Sequence, residues 1–497
     1  MILFVFALYL VFIIWLGIKT SAGGNATKFF IAGQNQPYWV IGSGYVASFL
    51  STASFMGTSG LVYHEGFVGN GAYMGSTIGY IAGLALFGPL MRRFGQFTIP
   101  DFLGERYDSN ATRGISAVIL FIGFFLYIGS QVIGVSVLFQ LLFDIPIWLG
   151  IVISISIVAF YTIAGGMMAN AIIDAVQFII TWVTAIIVLI LGVIKTNGVF
   201  SLVSQVEKYY PNFLTPDNGT GDTWAIWSVM LIWIIGSLAR ADLISRAYLA
   251  KSEREVYKAI LFVTPVIWVC GTFFFLYGMI GTIVIPGLEG KDSELIYLLM
   301  AQDWLLPVIA GLAFAGFLAS AQSTASTQLM VSSAAIGRDL YGKIIGPKLK
   351  KREITNEEMM KVTRWAMLVM CIAACILALN NASWILDIIN ISMAVMGPAF
   401  LVTWLGGFFW KRAAKTGAVA ALIVGSCSAV YTFVTDFEVA GAPWLVPPLF
   451  SLILTAIAFI IGSLFGKPSK KSLEVFSRLN PRYNYNAEKD TLEKQST

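Results

Sequence analysis

Hydroxyl side chains crowd two stretches of this 497-residue chain, and both stretches are otherwise apolar. The first, residues 311–341, carries Ser320, Ser323, Thr324, Ser326, Thr327, Ser332 and Ser333. On a helix, Ser320, Ser323, Thr324 and Thr327 fall on one stripe. Sodium is a hard cation that takes oxygen ligands, and hydroxyls joined by a few carbonyls freed from a broken helix would give it a complete shell. The second stretch, residues 40–63, reads VIGSGYVASFLSTASFMGTSGLVY. Its glycines and serines are poor helix formers. In lipid a helix breaks only where the freed backbone groups line a cavity or meet a partner, and secondary transporters build ion and solute sites from such breaks. The competing use of both stretches is close packing between helices, with hydroxyls turned back onto their own i−4 carbonyls. A third feature is Asp174, an acid inside the apolar run ANAIIDAVQFIITW. Ionisable groups there are costly and mark function by default; the alternative is a residue capping a helix start. Asp387, at the start of another apolar run, reads as interfacial.

Other chemistries are excluded. His64 is the only histidine, so no histidine metal cluster can form. Cys270, Cys371, Cys375 and Cys427 lie in apolar blocks without a CxxC pair and read as small packing residues. No P-loop, HExxH or GxSxG pattern occurs, which argues against ATP-driven transport, protease or lipase chemistry.

The elements that must position these residues are membrane helices. The chain is 57% hydrophobic and only 12% charged, about half the charged share of a soluble domain. A span needs about 20 mostly apolar residues, and thirteen are expected, at 2–19, 38–63, 70–91, 114–142, 146–164, 170–194, 224–239, 259–287, 304–337, 365–380, 383–410, 416–435 and 443–465. The first lacks a basic n-region and a cleavage site, and reads as a retained helix. Of the 32 Lys and Arg, 29 follow odd-numbered spans and only Lys195, Lys208 and Lys291 follow even ones. The positive-inside rule then places the N-terminus outside and the C-terminus in the cytoplasm of a multi-pass plasma-membrane protein. The basic run Lys348, Lys350, Lys351, Arg352 becomes a cytoplasmic loop against anionic lipid, not a nucleic-acid site, and Arg240 likewise reads as a cytoplasmic topology residue. Residues 1–466 form the transmembrane domain, and 467–497 form a polar, mobile cytoplasmic tail.

The motifs resemble the sodium:solute symporter family over roughly residues 5–465. The resemblance rests on FFIAGQNQPYW (29–39), TIPDFLGERY (98–107), YTIAGGMMANAIIDAVQ (161–177), STASTQLMVSSAAIGRDLY (323–341) and GGFFWKRAAKTGAVAALIVG (406–425), in the right order and on the right spans. It implies an all-α integral membrane fold of about 13 helices with a leucine-transporter-type core of two inverted repeats, at 38–194 and 224–410. It also implies a sodium site made by the carbonyls of Ala47, Leu50 and Ser320 and the hydroxyls of Ser323 and Thr324, with Asp174 on the ion pathway. Two departures stand out. No acid lies in the break at Ala47, Ser48, Phe49 and Leu50, where some relatives carry an aspartate. Ala241 and Asp242 stand before Arg246, where many relatives have a Pro-His pair.

The second span looks most like the acetate and pantothenate branches, which implies a sodium-coupled importer, not an enzyme, for a small organic solute and most simply a monocarboxylate. Ser51, Thr52 and Ser54 at the half-helix start would hold the carboxylate, with Trp227 and Trp233 walling the apolar part. Proline, pantothenate or sugar symport is the alternative within the class. A transporter-like membrane sensor is the alternative outside it, set back because no kinase-like segment accompanies these spans.

Overall fold

The computed structural model describes residues 1–222, 224–380, 385–435, 437 and 445–480. Among them it contains helices and one isolated bridge between Gln36 and Ala250, with no strand. The principal helices are α1 (Ile2–Lys19), α2 (Tyr38–Phe49), α3 (Ser59–Glu65), α4 (Asn70–Phe94), α5 (Ile99–Arg106), α6 (Asn110–Phe143), α7 (Ile147–Lys195), α8 (Ala225–Leu238), α9 (Glu253–Val284), α10 (Pro307–Ala334), α11 (Asn356–Asn380), α12 (Ile385–Phe409), α13 (Lys415–Val434), α14 (Pro447–Phe465) and α15 (Lys470–Leu479).

Eleven helical stretches among the described residues are long and apolar enough to cross a bilayer. The expected thirteen differ from that number at two places, each with a physical cause. The second expected span is broken: α2 stops at Phe49, Leu50 leaves the helical region at ψ 85°, and a π-helical turn at Ala53–Thr58 leads into α3. Neither half is long enough to be counted. The fifth and sixth spans merge into the 49-residue α7, interrupted by Gly166 at φ 64° and ψ −161°. Tyr161 and Ile173 both pack on Gly17 of α1, although a straight helix would hold them about 18 Å apart. The chain therefore doubles back at Gly166. Only glycine takes that conformation without strain, and its bare Cα lies against Phe29, leaving no room for a Cβ.

Helix α10 is the axis of the bundle. All its residues from Ala313 to Ala334 are buried, because its small side chains let neighbouring helices approach closely. Gln322 of α10 is a meeting point. Its carbonyl accepts from Tyr161 on the first arm of α7, and its side-chain oxygen accepts from Gln177 on the second arm and from Tyr9 of α1. Beyond Ala334 the helix widens into a π-helix, Ala335–Ile345. At that end Asp339 accepts from Thr98 (2.6 Å), while Arg338 and Arg113 both pair with Asp101. This ion-pair cluster ties α5 and α6 to the end of α10.

Residues 470–479 of the tail that the sequence reads as mobile form a helix. Ser469 caps α15, which lies against α5 with Val475, Phe476 and Leu479 buried. Arg106 donates to Ser472 Oγ and to the carbonyls of Gly407 and Trp410, Arg93 to the Leu479 carbonyl, and Asn480 to that of Phe408. Residues 481–497 of the expected tail lie outside the described residues.

Candidate functional site

The break in the second span faces the hydroxyl stripe of α10. Ser323 Oγ donates to the carbonyls of Ala47 and Ser320, both at 3.0 Å. Thr324 Oγ1 donates to the carbonyls of Ser48 (3.3 Å) and Ser320 (3.2 Å). All these residues are buried. Of the five expected sodium ligands, Ala47, Ser320, Ser323 and Thr324 are thus in one cluster, with the Ser48 carbonyl added. Leu50 sits at the end of α2, where the helical ladder stops. A cluster of neutral oxygens suits a hard monovalent cation, and no group of three His, Cys, Asp or Glu among the described residues could hold a transition metal instead.

Asp174 is buried on the second arm of α7, not at a helix start. Its Oδ2 accepts from Thr327 Oγ1 (3.2 Å) and Arg246 Nη2 (2.8 Å), and its Oδ1 has no hydrogen-bond partner. Arg246 also donates to Ser48 Oγ and Thr327 Oγ1, both at 2.7 Å. Arg240 is a correction to the sequence reading. It is no surface topology residue but is 1% exposed, paired with Asp242 and donating to the hydroxyls of Tyr80 and Tyr127. A guanidinium in such a place is stable only because its counter-charge and acceptors are built in. The Ala241–Asp242 departure therefore supplies the partner of Arg240, and Gln328 of α10 donates to the same carboxylate (3.3 Å).

A cavity of about 560 Å³ opens between the end of α3, α8 and the start of α12, lined among others by His64, Glu65, Trp233, Leu386, Asp387 and Asn390. Trp233 walls it as expected. Trp227 does not: it is 54% exposed and lines no part of the cavity, because six positions along a helix turn the side chain about 240° away. Ser51, Thr52 and Ser54 are buried in the break and do not line the cavity. Ser54 Oγ donates to the Phe49 carbonyl (2.6 Å), and the Thr52 amide donates to Gln131 Oε1 (3.3 Å), while Thr52 Oγ1 is left without a partner. Gln131 was missed because an amide within an apolar span carries no spacing signal.

Glu294 also escaped the sequence reading. It lies in the 3-10 segment Gly290–Leu295, which packs against α3. It is 5% exposed, and its Oε1 lacks a partner. Burial, helped by the nearby Asp387, pushes its carboxyl up to about 7 against the lowering effects of the Ile385 amide and Lys291.

A helix bundle with a broken span, hard oxygens gathered at the break and a cavity beside the end of its second half defines a membrane-embedded secondary transporter. The model of the sodium:solute symporter family matches residues 29–425, and the chain belongs to that family. The osmoregulated proline transporter OpuE of Bacillus subtilis is 28% identical over 476 residues, covering 93% of this chain and 94% of the relative. Sodium/proline symporter 2 of Staphylococcus saprophyticus is 28% identical over 435 residues, 84% of this chain and 82% of the relative. Among solved structures, a Na+-coupled sialic acid symporter in a substrate-bound outward-open state matches with a TM-score of 0.79 at 20% identity, over 94% of this chain and 99% of that one. Mhp1, a nucleobase-cation-symport-1 family transporter in a closed conformation with bromovinylhydantoin bound, matches with a TM-score of 0.56 at 12% identity, over 90% and 97%. These structural likenesses bear out the all-helical leucine-transporter-type core. The protein is a transporter, not an enzyme, and sodium is its coupling ion.

Proposed function

We propose that this protein imports a small carboxylate-bearing solute with sodium by alternating access, across thirteen spans with the N-terminus outside and the C-terminus in the cytoplasm. The observation that carries the reading is the meeting of Ser323 and Thr324 with the carbonyls of Ala47 and Ser48 across the break. With the carbonyls of Leu50 and Ser320 these form the sodium site. An ion there ties the second span to α10 and favours the conformation that accepts solute, since a ligand shifts an equilibrium only by binding one state better. As sodium enters, the hydroxyls of Ser323 and Thr324 turn from carbonyl to ion, and Asp174 lies on the ion's way out.

The solute reaches Ser51, Thr52 and Ser54 through the cavity walled by Trp233. A monocarboxylate is the simplest solute for that site. A second reading, a zwitterionic amino acid such as proline, is favoured by the proline transporters among the relatives. It is also favoured by Glu65 and Asp387 on the cavity wall, since two acids repel a bare anion more than a zwitterion. Uptake of radiolabelled acetate, proline, pantothenate and glucose into proteoliposomes, with and without a sodium gradient, tests both. Gradient-driven accumulation of acetate or proline is expected and separates the two readings. Accumulation driven equally well without sodium, or of the sugar alone, overturns them.

A further inference from the structure

Helix α15 lies across a joint. Residues 95–98 connect α4 to α5, and Gly95 ends α4 in the left-handed region, at φ 72°, where glycine is free of strain. The two helices belong to different parts of the bundle. α4 packs chiefly on α8 and α9, and Arg93 near its end pairs with Glu253 of α9 through two bonds of 3.0 and 2.8 Å. α5 packs chiefly on α6, and its Asp101 pairs with Arg113 of α6 and with Arg338 beyond the end of α10.

α15 is fastened to both sides of the joint. Ser472 Oγ accepts from Arg106 Nη1 of α5 (2.7 Å) and donates to the Arg106 carbonyl, and that guanidinium lies 5.1 Å from the centre of the Phe476 ring. Asn480 Nδ2 donates to the Phe408 carbonyl at the end of α12 (2.9 Å). Toward α4, Arg93 Nη1 donates to the carbonyl of the fully buried Leu479 (2.7 Å), and Arg478 stands over the Phe94 ring at 5.5 Å. The hold on α5 and α12 is the more extensive. A parting of α4 from α5 would therefore leave α15 on α5 and break the end at Leu479. The joint is also at the far end of the bundle from the cavity. α12 runs from Asn390 on the cavity wall to Phe408 beneath α15, about 27 Å along a helix. Beside the joint the packing is close: the space between Phe97, Thr98, Ser245, Met330 and Ala334 is about 10 Å³, barely enough for one water molecule.

We propose that α15 is a strap that holds the joint between α4 and α5 shut while the cavity is open, and that its latch, the Arg93–Leu479 end, must part before the opposite end can open. The proposal rests on the sodium-coupled, alternating-access reading above. Secondary transporters work by moving one group of helices against another around a fixed site, and α15 joins a helix of one group to a helix of the other. On the proposed orientation the strapped end faces the cytoplasm. The strap then acts as a brake on release of sodium and solute into the cell, and takes no part in binding either.

The test uses the intact chain. In the wild type, hydrogen exchange over residues 470–480 should slow when sodium is added, because sodium favours the conformation that the strap holds. Exchange over residues 47–54, at the proposed ion site, should slow with it. Sodium that slows 47–54 but not 470–480 overturns the strap. Sodium that slows neither removes the sodium-coupled reading instead, a separate result. Variants probe the latch. Ser245→Cys, in a background with Cys270, Cys371, Cys375 and Cys427 replaced by alanine, reports opening beside the joint by its reaction with a water-soluble maleimide. Arg93→Gln and Leu479→Ala each weaken the latch, and labelling without sodium should become about tenfold faster. Saturating sodium should return it to the wild-type rate, which a merely loosened fold would not do. Lys470→Ala, on the exposed side of α15, should label as the wild type does. Unchanged labelling in folded latch variants, or faster labelling that sodium does not suppress, overturns the proposal. If a variant fails to fold, the exchange measurement on the wild type decides alone.

Discussion

Ser323 and Ser332 stand nine positions apart on α10, yet their hydroxyls are used differently. Ser323 reaches across to the Ala47 carbonyl, whereas Ser332 donates to the Gln328 carbonyl of its own helix at 2.6 Å. Ser323→Ala and Thr324→Ala each delete one proposed ligand, and the sodium half-saturation of uptake should rise about tenfold, equivalent to about 1.4 kcal/mol. Ser332→Ala should leave it unchanged, because its hydroxyl meets only carbonyls of its own helix and Met370 Sδ, none of them a proposed ion ligand. Uptake at matched expression decides it, and equal behaviour of all three returns the stripe to a packing role. The stripe itself was legible in the sequence, because helical periodicity gathers Ser320, Ser323 and Thr324 whatever they face. The partners of Asp174 were not. Arg246 is 72 positions away and Thr327 is 153 away; such pairings depend on how helices cross, which no local spacing encodes. The two tryptophans show the same limit, since composition offers both Trp227 and Trp233 while only helix rotation separates cavity from surface.

Among elements, the break in the second span was foreseeable from its glycines and serines, and it lies where the propensity argument places it. The helicity of residues 470–479 was not, because the tail is polar on average and its apolar side chains, Val475, Phe476 and Leu479, matter only once α5 is there to receive them. Phe476→Ala should cost about 3 kcal/mol, as for other buried phenylalanines. Thermal unfolding of the purified protein should show the loss, whereas Phe465→Ala, at an 89% exposed position, should leave the midpoint unchanged. The segment Gly290–Leu295 carries a pH dependence of definite sign. Glu294 titrates near 7 in the folded protein and about 4.3 when unfolded. Between those values the folded state binds more protons, so stability is greatest below the lower value and declines as pH rises through 7. Hydrogen exchange at 290–295 should be slower at pH 6 than at pH 8 once corrected for the intrinsic rate. Glu294→Gln should abolish that difference, and a difference persisting in the variant would assign it to another group.

Across the whole molecule, the proposed orientation puts Asp217 and Pro347 on opposite faces of the membrane. Single cysteines introduced beside each, in a background lacking Cys427 at the surface, should label from opposite sides with a membrane-impermeant reagent. Labelling from one side overturns the thirteen-span arrangement. The clamp between α5 and α15 has a consequence in time as well as in space. Arg106 and Ser472 are 366 positions apart, so the end of α5 that carries Arg106 emerges from the ribosome long before the segment that completes its bonding. At about 5–20 residues per second, that delay lasts tens of seconds, during which the arginine has at most the Gly407 and Trp410 carbonyls as partners. The clamp can therefore close only after α14 has been made. A chain halted after α14 would leave Arg106 without Ser472 and uncover the face of α5 that α15 covers.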